Sequence, residues 1–154
     1  MANRVIHGRK LVVGDVKITN NINDFTPPKY KKVMVAMDGS FIEKKTHTGF
    51  ETPEWSLTVK GEMAKLAYEA LKDGDETVVI YSENGKNKHQ RYDAEHIMTG
   101  EVDFEYDATK MREQQTLTLT GQCEKHKHTE DGQVLTDVDI DNGKYLVMGR
   151  EYNV

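Results

Sequence analysis

His126 and His128 are the residues whose type and spacing most readily suggest chemistry. On a strand, positions i and i+2 point to one face, so two imidazoles there can share a metal ion. The surroundings do not complete such a site. Gly121 stands too near and Glu130 follows too soon for a metal-binding barrel, no Gly-Pro-Gly-His element lies downstream, and all three prolines precede residue 54. The pair reads as the polar end of a strand before an Asp131-Gly132 turn, and no metal is expected. Asp137, Asp139 and Asp141 have the opening spacing of a calcium loop. Such a loop needs Gly at its sixth place and Glu at its twelfth, and those places hold Asn142 and Met148. With Val138 and Ile140 between them, the three aspartates read instead as strand alternation. Cys123 lies on the apolar side of Leu117 and Leu119, which predicts a packed thiol and not a nucleophile.

The longest acidic pattern is Glu101, Asp103, Glu105 and Asp107, alternating with Val102, Phe104 and Tyr106. A strand sends these to opposite faces, one of carboxylates and one apolar. Acid–base catalysis needs two carboxylates in different environments, whereas a row shares one. The chain has no phosphate loop, nucleophile elbow or dinucleotide fingerprint. No catalytic residue and no cofactor are expected, and the chain is not read as an enzyme.

The elements that must carry these rows are mostly strands. Val5 to Val16 reads as strand, turn and strand, broken at Gly8 and Gly14. Phe25-Thr26-Pro27-Pro28 interrupts the pattern, because proline cannot donate to a ladder. Val33 to Met37 alternates, then residues 38 to 53 show no sustained period and read as a long loop carrying Phe41, Ile42 and Phe50. Trp55, Leu57 and Val59 mark a half-buried strand. Glu62 to Asp73 is the one helix, with Met63, Leu66, Ala67, Ala70 and Leu71 in one stripe and Asp73-Gly74 as its stop. Val78 to Tyr81, Arg91 to Met98, Thr116 to Thr120, Val134 to Ile140 and Tyr145 to Met148 read as further strands. Asn84-Gly85 reads as a hairpin turn. The expectation is one domain over 1–154, α+β and mainly antiparallel, a two-sheet sandwich or barrel flanked by one helix and a long loop.

Composition bounds the function. Hydrophobic residues are 36% and charged residues 31% of the 154, somewhat polar for a chain of this length. The strand patterns argue against disorder, so the expectation is a thin sandwich whose surfaces are completed by other subunits. A net charge of −5 argues against a general DNA-binding surface, though not against DNA as a passing, unbound partner. Met1 to His7 carries no apolar run of signal-peptide length, no stretch suits a membrane span, and Cys123 is the lone cysteine. Cytoplasmic synthesis without a membrane anchor is expected.

The order of elements resembles the major tail tube proteins of contractile-tailed phages, the P2-like tube family. The resemblance runs through the Gly8/Gly14 hairpin, Val16-Lys17-Ile18, the Pro27-Pro28-Lys29-Tyr30 corner, the turn at Gly39 and its long loop. Glu54-Trp55-Ser56-Leu57 then leads into a helix. Ile97-Met98-Thr99-Gly100, Glu113-Gln114-Gln115 before Thr116-Leu117-Thr118-Leu119, and Asp137–Asp141 with Asn142-Gly143 follow in the same order. The resemblance implies a structural virion protein whose six copies form a ring, with rings stacked into a hollow tube inside a sheath. Its implied partners are its own copies, the sheath, tape measure, baseplate and tail terminator proteins, and DNA passing through the bore without stable binding. The implied location is the virion tail, assembled in the host cytoplasm. On that reading Glu101, Asp103, Glu105 and Asp107, or Asp137, Asp139 and Asp141, line the lumen, and the loop with Phe41, Ile42 and Phe50 bridges to the adjacent ring. Three rival readings stand beside it. They are the tube of a headless contractile bacteriocin or injection system, a non-tube component such as a tail completion protein, and a small metal-binding cupin-like barrel tied to His126 and His128.

Overall fold

A computed structural model describes residues 4–19, 21–37, 39, 41–42, 44–60 and 64–152. Its strands are β1 (Arg4–Val13), β2 (Val16–Ile18), β3 (Ile22–Thr26), β4 (Lys32–Met37), β5 (Lys44–Phe50) and β6 (Glu54–Lys60). After helix α1 (Ala64–Lys72) and a 3-10 turn at Gly74–Glu76 come β7 (Val78–Asn87), β8 (Gln90–Thr99), β9 (Val102–Tyr106) and β10 (Thr116–Gln122). The chain closes with β11 (Lys125–Glu130), β12 (Gln133–Asp139), β13 (Lys144–Val147) and β14 (Arg150–Glu151).

Among the described residues three sheets result. An eight-stranded sheet runs β14-β13-β12-β11-β8-β7-β1-β2, a four-stranded sheet β3-β6-β10-β9, and β4 pairs with β5 alone. Every ladder is antiparallel. The core lies where the four-stranded sheet meets the middle of the eight-stranded one. Trp55, Leu57 and Val59 of β6 and Leu117 and Leu119 of β10 pack with Leu11, Val13, Val79, Tyr81 and Met98. Leu66, Ala67 and Ala70 of α1 join the same cluster. Apolar residues at every second position of β6 and β10 bury one face of each, which is what selects strand and register together.

Several local expectations change. The segment read as a long loop is largely a hairpin arm, because residues 44–50 pair with β4 from Lys32↔Phe50 to Met37↔Lys44. Both faces of β4 are exposed, so alternation had no buried side to mark. Asn84-Gly85 is no turn: Asn84 pairs with Asp93 and Gly85 with Tyr92, and the reversal falls at Lys88 and His89. Ladders on both sides keep β7 extended, and the Val5 carbonyl of β1 fills the place where a side chain at Gly85 would stand. Gly8 lies within β1, which passes it with a bulge. β3 is an additional strand, and its bulge between Ile22 and Asp24 breaks the period of two. Leu71 lies off the helix's buried stripe at 40% exposure, and Glu62 and Met63 fall outside the described residues. Ile140 lies beyond the end of β12, in a turn.

Candidate functional site

Strand register decides what each acidic row faces. Asp103 lies opposite Thr120 and Glu105 opposite Thr118, while Thr118 and Thr120 lie opposite Thr58 and Ser56 of β6. Asp24 and Thr26 of β3 complete the same face. Glu101 and Asp107 flank β9 and extend its pairing, through Gln122 N–H to the Glu101 carbonyl (3.1 Å) and Asp107 N–H to the Thr116 carbonyl (3.0 Å). The side of the four-stranded sheet turned away from the core is therefore a field of hydroxyls edged with carboxylates. Lys60 and Glu54 sit at its two ends on β6. The opposite side of β9 is apolar as expected, yet only Val102 is buried. Phe104 is 45% exposed and Tyr106 36%, their rings meeting edge to face.

The second row is organised differently. Asp137 Oδ2 accepts from Lys144 Nζ at 2.9 Å, and Lys127 lies opposite Asp137 on β11. Asp139 Oδ2 accepts from Asn142 Nδ2 at 2.6 Å, which holds its carboxyl below the usual range, and Lys125 and Lys144 lie opposite it on either side. Asp141 lies in the turn beyond β12. Asp139 thus closes a turn, and Asp137 pairs with a flanking lysine.

The three aromatic and aliphatic loop residues separate. Phe41 (105% exposed) and Ile42 (79%) stand at the tip between β4 and β5, above the exposed Val33, Met34, Val35 and Met37. Phe50 instead packs at the root, edge to face with Tyr30 at 6.0 Å and with Tyr152 at 5.0 Å. An isolated two-stranded hairpin is marginal in water, so this root contact orients the arm.

His126 is not a polar strand end. It is 3% exposed and faces the interior beside the buried His96. His96 lies opposite His128 across β8 and β11, and the two rings stack at 4.1 Å. His96 Nδ1 is 3.0 Å from His126 Nε2, and His126 Nδ1 is 2.6 Å from the Tyr30 hydroxyl. Burial first, and the neighbouring imidazoles second, push His96 down to about 3 and His126 down to about 4. The rings lie nearly parallel, and the nitrogens that meet, His96 Nδ1 and His126 Nε2, are taken up by each other. Among the described residues no group of three or more His, Cys, Asp or Glu side chains is disposed to hold a metal ion. The signal for His96 was the inward alternation Tyr92, Ala94, His96, Met98. Cys123 is buried, as the alternation predicts, and burial pushes its thiol up to about 12.

The described residues, β-rich with one α-helix and open-edged sheets, share the fold of a solved component of a contractile injection system. The PVC sheath/tube terminator of an extracellular contractile injection system, in its extended state, aligns with a TM-score of 0.54 at 9% identity. That alignment covers 79% of this chain and 92% of the terminator. The tube-terminating cap of the anti-feeding prophage aligns at 0.49 and 14% identity, over 80% and 87%. No curated protein shows significant similarity to the chain. The family described as phage tail tube protein FII matches residues 3–153, and the chain belongs to that family of structural tail proteins. No described helix is long and apolar enough to cross a membrane.

Proposed function

We propose that this chain assembles as stacked hexameric rings into the inner tube of a contractile tail, with the polar face of β3-β6-β10-β9 turned to the bore. The observation that carries the reading is the state of that sheet. Its edge strands β3 and β9 are five residues each and paired on one side only. The eight-stranded sheet is instead blunted by a two-residue β14 and a three-residue β2. Arg9 Nη1 donates to the Ile22 and Asn23 carbonyls of β3; edges otherwise paired on one side invite pairing with another copy, and pairing β9 with a neighbour's β3 closes a barrel that has no edge. The exposed Phe104 and Tyr106 flank gains cover in the same step.

Duplex DNA carries one charge per about 1.7 Å of axis, and a basic wall holds it by counterion release. A wall of hydroxyls and the carboxylates Glu101, Asp103, Glu105 and Asp107 repels it at about 8 Å in physiological salt and lets it slide. The lysine-flanked aspartates of β12 suit that role poorly. The hairpin tip, with Phe41 and Ile42, reaches to the adjacent ring, and Phe50 anchors the arm. The remaining partners follow from the place of a tube in a tail: sheath outside, tape measure within, baseplate and terminator at its ends. Negative-stain microscopy of concentrated protein tests the assembly. Rings or tubes are expected, and a monomer at every concentration contradicts the reading.

A further inference from the structure

The root of the hairpin rests on ionisable groups. Tyr30, two residues before β4, stacks on His126 with ring centroids 5.7 Å apart and bonds its Nδ1. Phe50, at the end of β5, meets Tyr30 edge to face. Phe25 of β3 covers His96 at 5.4 Å. With Tyr30 donating to Nδ1, His126 donates from Nε2 to His96 Nδ1, so each link in the chain carries one proton.

We propose that Tyr30 and the His96–His126–His128 stack form a proton-sensitive latch on the root of the β4–β5 hairpin. Neutral imidazoles hold the root down, and a proton entering the stack lifts it.

The groups around the stack supply little to stabilise added charge. From β7, Tyr81 and Glu83 approach, and the Glu83 carboxylate already accepts from Tyr92 at 3.0 Å and Tyr81 at 3.4 Å. Glu130 of β11 lies 3.5 Å from His128 Nε2, yet Arg4 of β1 takes both its oxygens at 2.8 Å. From β12, Thr136 and Val138 lie opposite His128 and His126. Cys123 approaches Tyr30 as a neutral thiol. No described carboxylate bonds His96 or His126. A protonated imidazole there must reach water, and the cover of His126 that belongs to neither large sheet is Tyr30 with the hairpin root. Burial depresses both histidines below the ordinary 6.5. Docking is therefore at full strength above pH 6.5, and it weakens up to tenfold per pH unit per histidine as pH falls from there.

The latch belongs to the single chain and does not depend on the tube reading. Hydrogen exchange on the full-length subunit, corrected for intrinsic rates, tests it between pH 7 and 5. The root is followed through the Glu51 amide, which donates to the Lys31 carbonyl at 2.8 Å, and β6 and β10 serve as reference. The expected result is an opening of the root at least tenfold more frequent per unit of acidification, with β6 and β10 unchanged. Equal loss in root and reference, or a flat root, overturns the proposal on wild-type protein alone. His126→Gln with His96→Gln is expected to remove the pH dependence, and its persistence also overturns the latch. Tyr30→Phe keeps the ring and is expected to open the root already at pH 7 while preserving the slope. Acid opening in free subunits alongside intact tubes at pH 5 supports the latch and instead removes the hairpin from its proposed stacking role.

Discussion

Lys144 Nζ lies 2.9 Å from Asp137 Oδ2, whereas Glu105 faces the uncharged Thr118 across its ladder. The two acidic rows share one sequence pattern and have opposite electrostatic situations. Like charges in a row destabilise a sheet unless water or counter-charge relieves them. On β12 the lysines of both flanking strands relieve them. Among the described residues no ion pair relieves the row on β9.

Charge reversal separates the rows. Asp103→Lys with Glu105→Lys is expected to leave particles assembled but to lower DNA delivery, with a loss that shrinks as salt rises. Asp137→Asn is expected to leave delivery unchanged. Delivery counted per assembled particle checks both.

Gly121 pairs with Trp55, and its missing side chain is room for the indole. A β-carbon there would stand 2.6 Å from Trp55 Cζ2. Gly121→Ala is expected to destabilise the fold by about 1–3 kcal/mol through overpacking. Trp55 is the sole tryptophan, so its fluorescence during urea denaturation reports the change directly.

Core and hairpin tip are expected to dissociate in their effects. Leu119 is fully buried between β6 and β9, and Leu119→Ala should cost about 2–5 kcal/mol in the monomer. Phe41→Ala removes a side chain that is fully exposed in the single chain, so the monomer's stability should stay within about 0.5 kcal/mol while tube length or tube stability falls. Denaturant melts and microscopy on the same preparations distinguish the two.

Cys123 is predicted to be inert while the fold holds. Its thiol is raised to about 12 by burial. At pH 8 an ordinary thiol near 8.5 is about one-quarter ionised, and Cys123 only about one part in ten thousand at that shift. Labelling by a thiol reagent should therefore track global unfolding and accelerate with denaturant, not with moderate rises in pH.

The sandwich was legible where one strand face is buried, because Trp55-Leu57-Val59 and Leu117-Leu119 write their burial into a period of two. Three parts were not. β3 hides behind a bulge that shifts Asp24 and Phe25 out of step with Ile22. The β4–β5 arm has no buried face on β4, so the alternation test has nothing to detect. The burial of His126 depends on Tyr30, ninety-six positions away in the chain, and no local pattern announces such a cover. The acidic rows were visible as rows, but their difference resides in Lys125, Lys127 and Lys144, which join them only through strand register.

The most direct test is a cryo-EM map of the assembled tube at side-chain resolution. The account predicts Asp103 and Glu105 on the bore, β9 of one copy paired with β3 of the next, and the Phe41–Ile42 tip seated on the adjacent ring. A map with the polar face of β3-β6-β10-β9 turned outward, or with Asp137 and Asp139 on the bore, contradicts it.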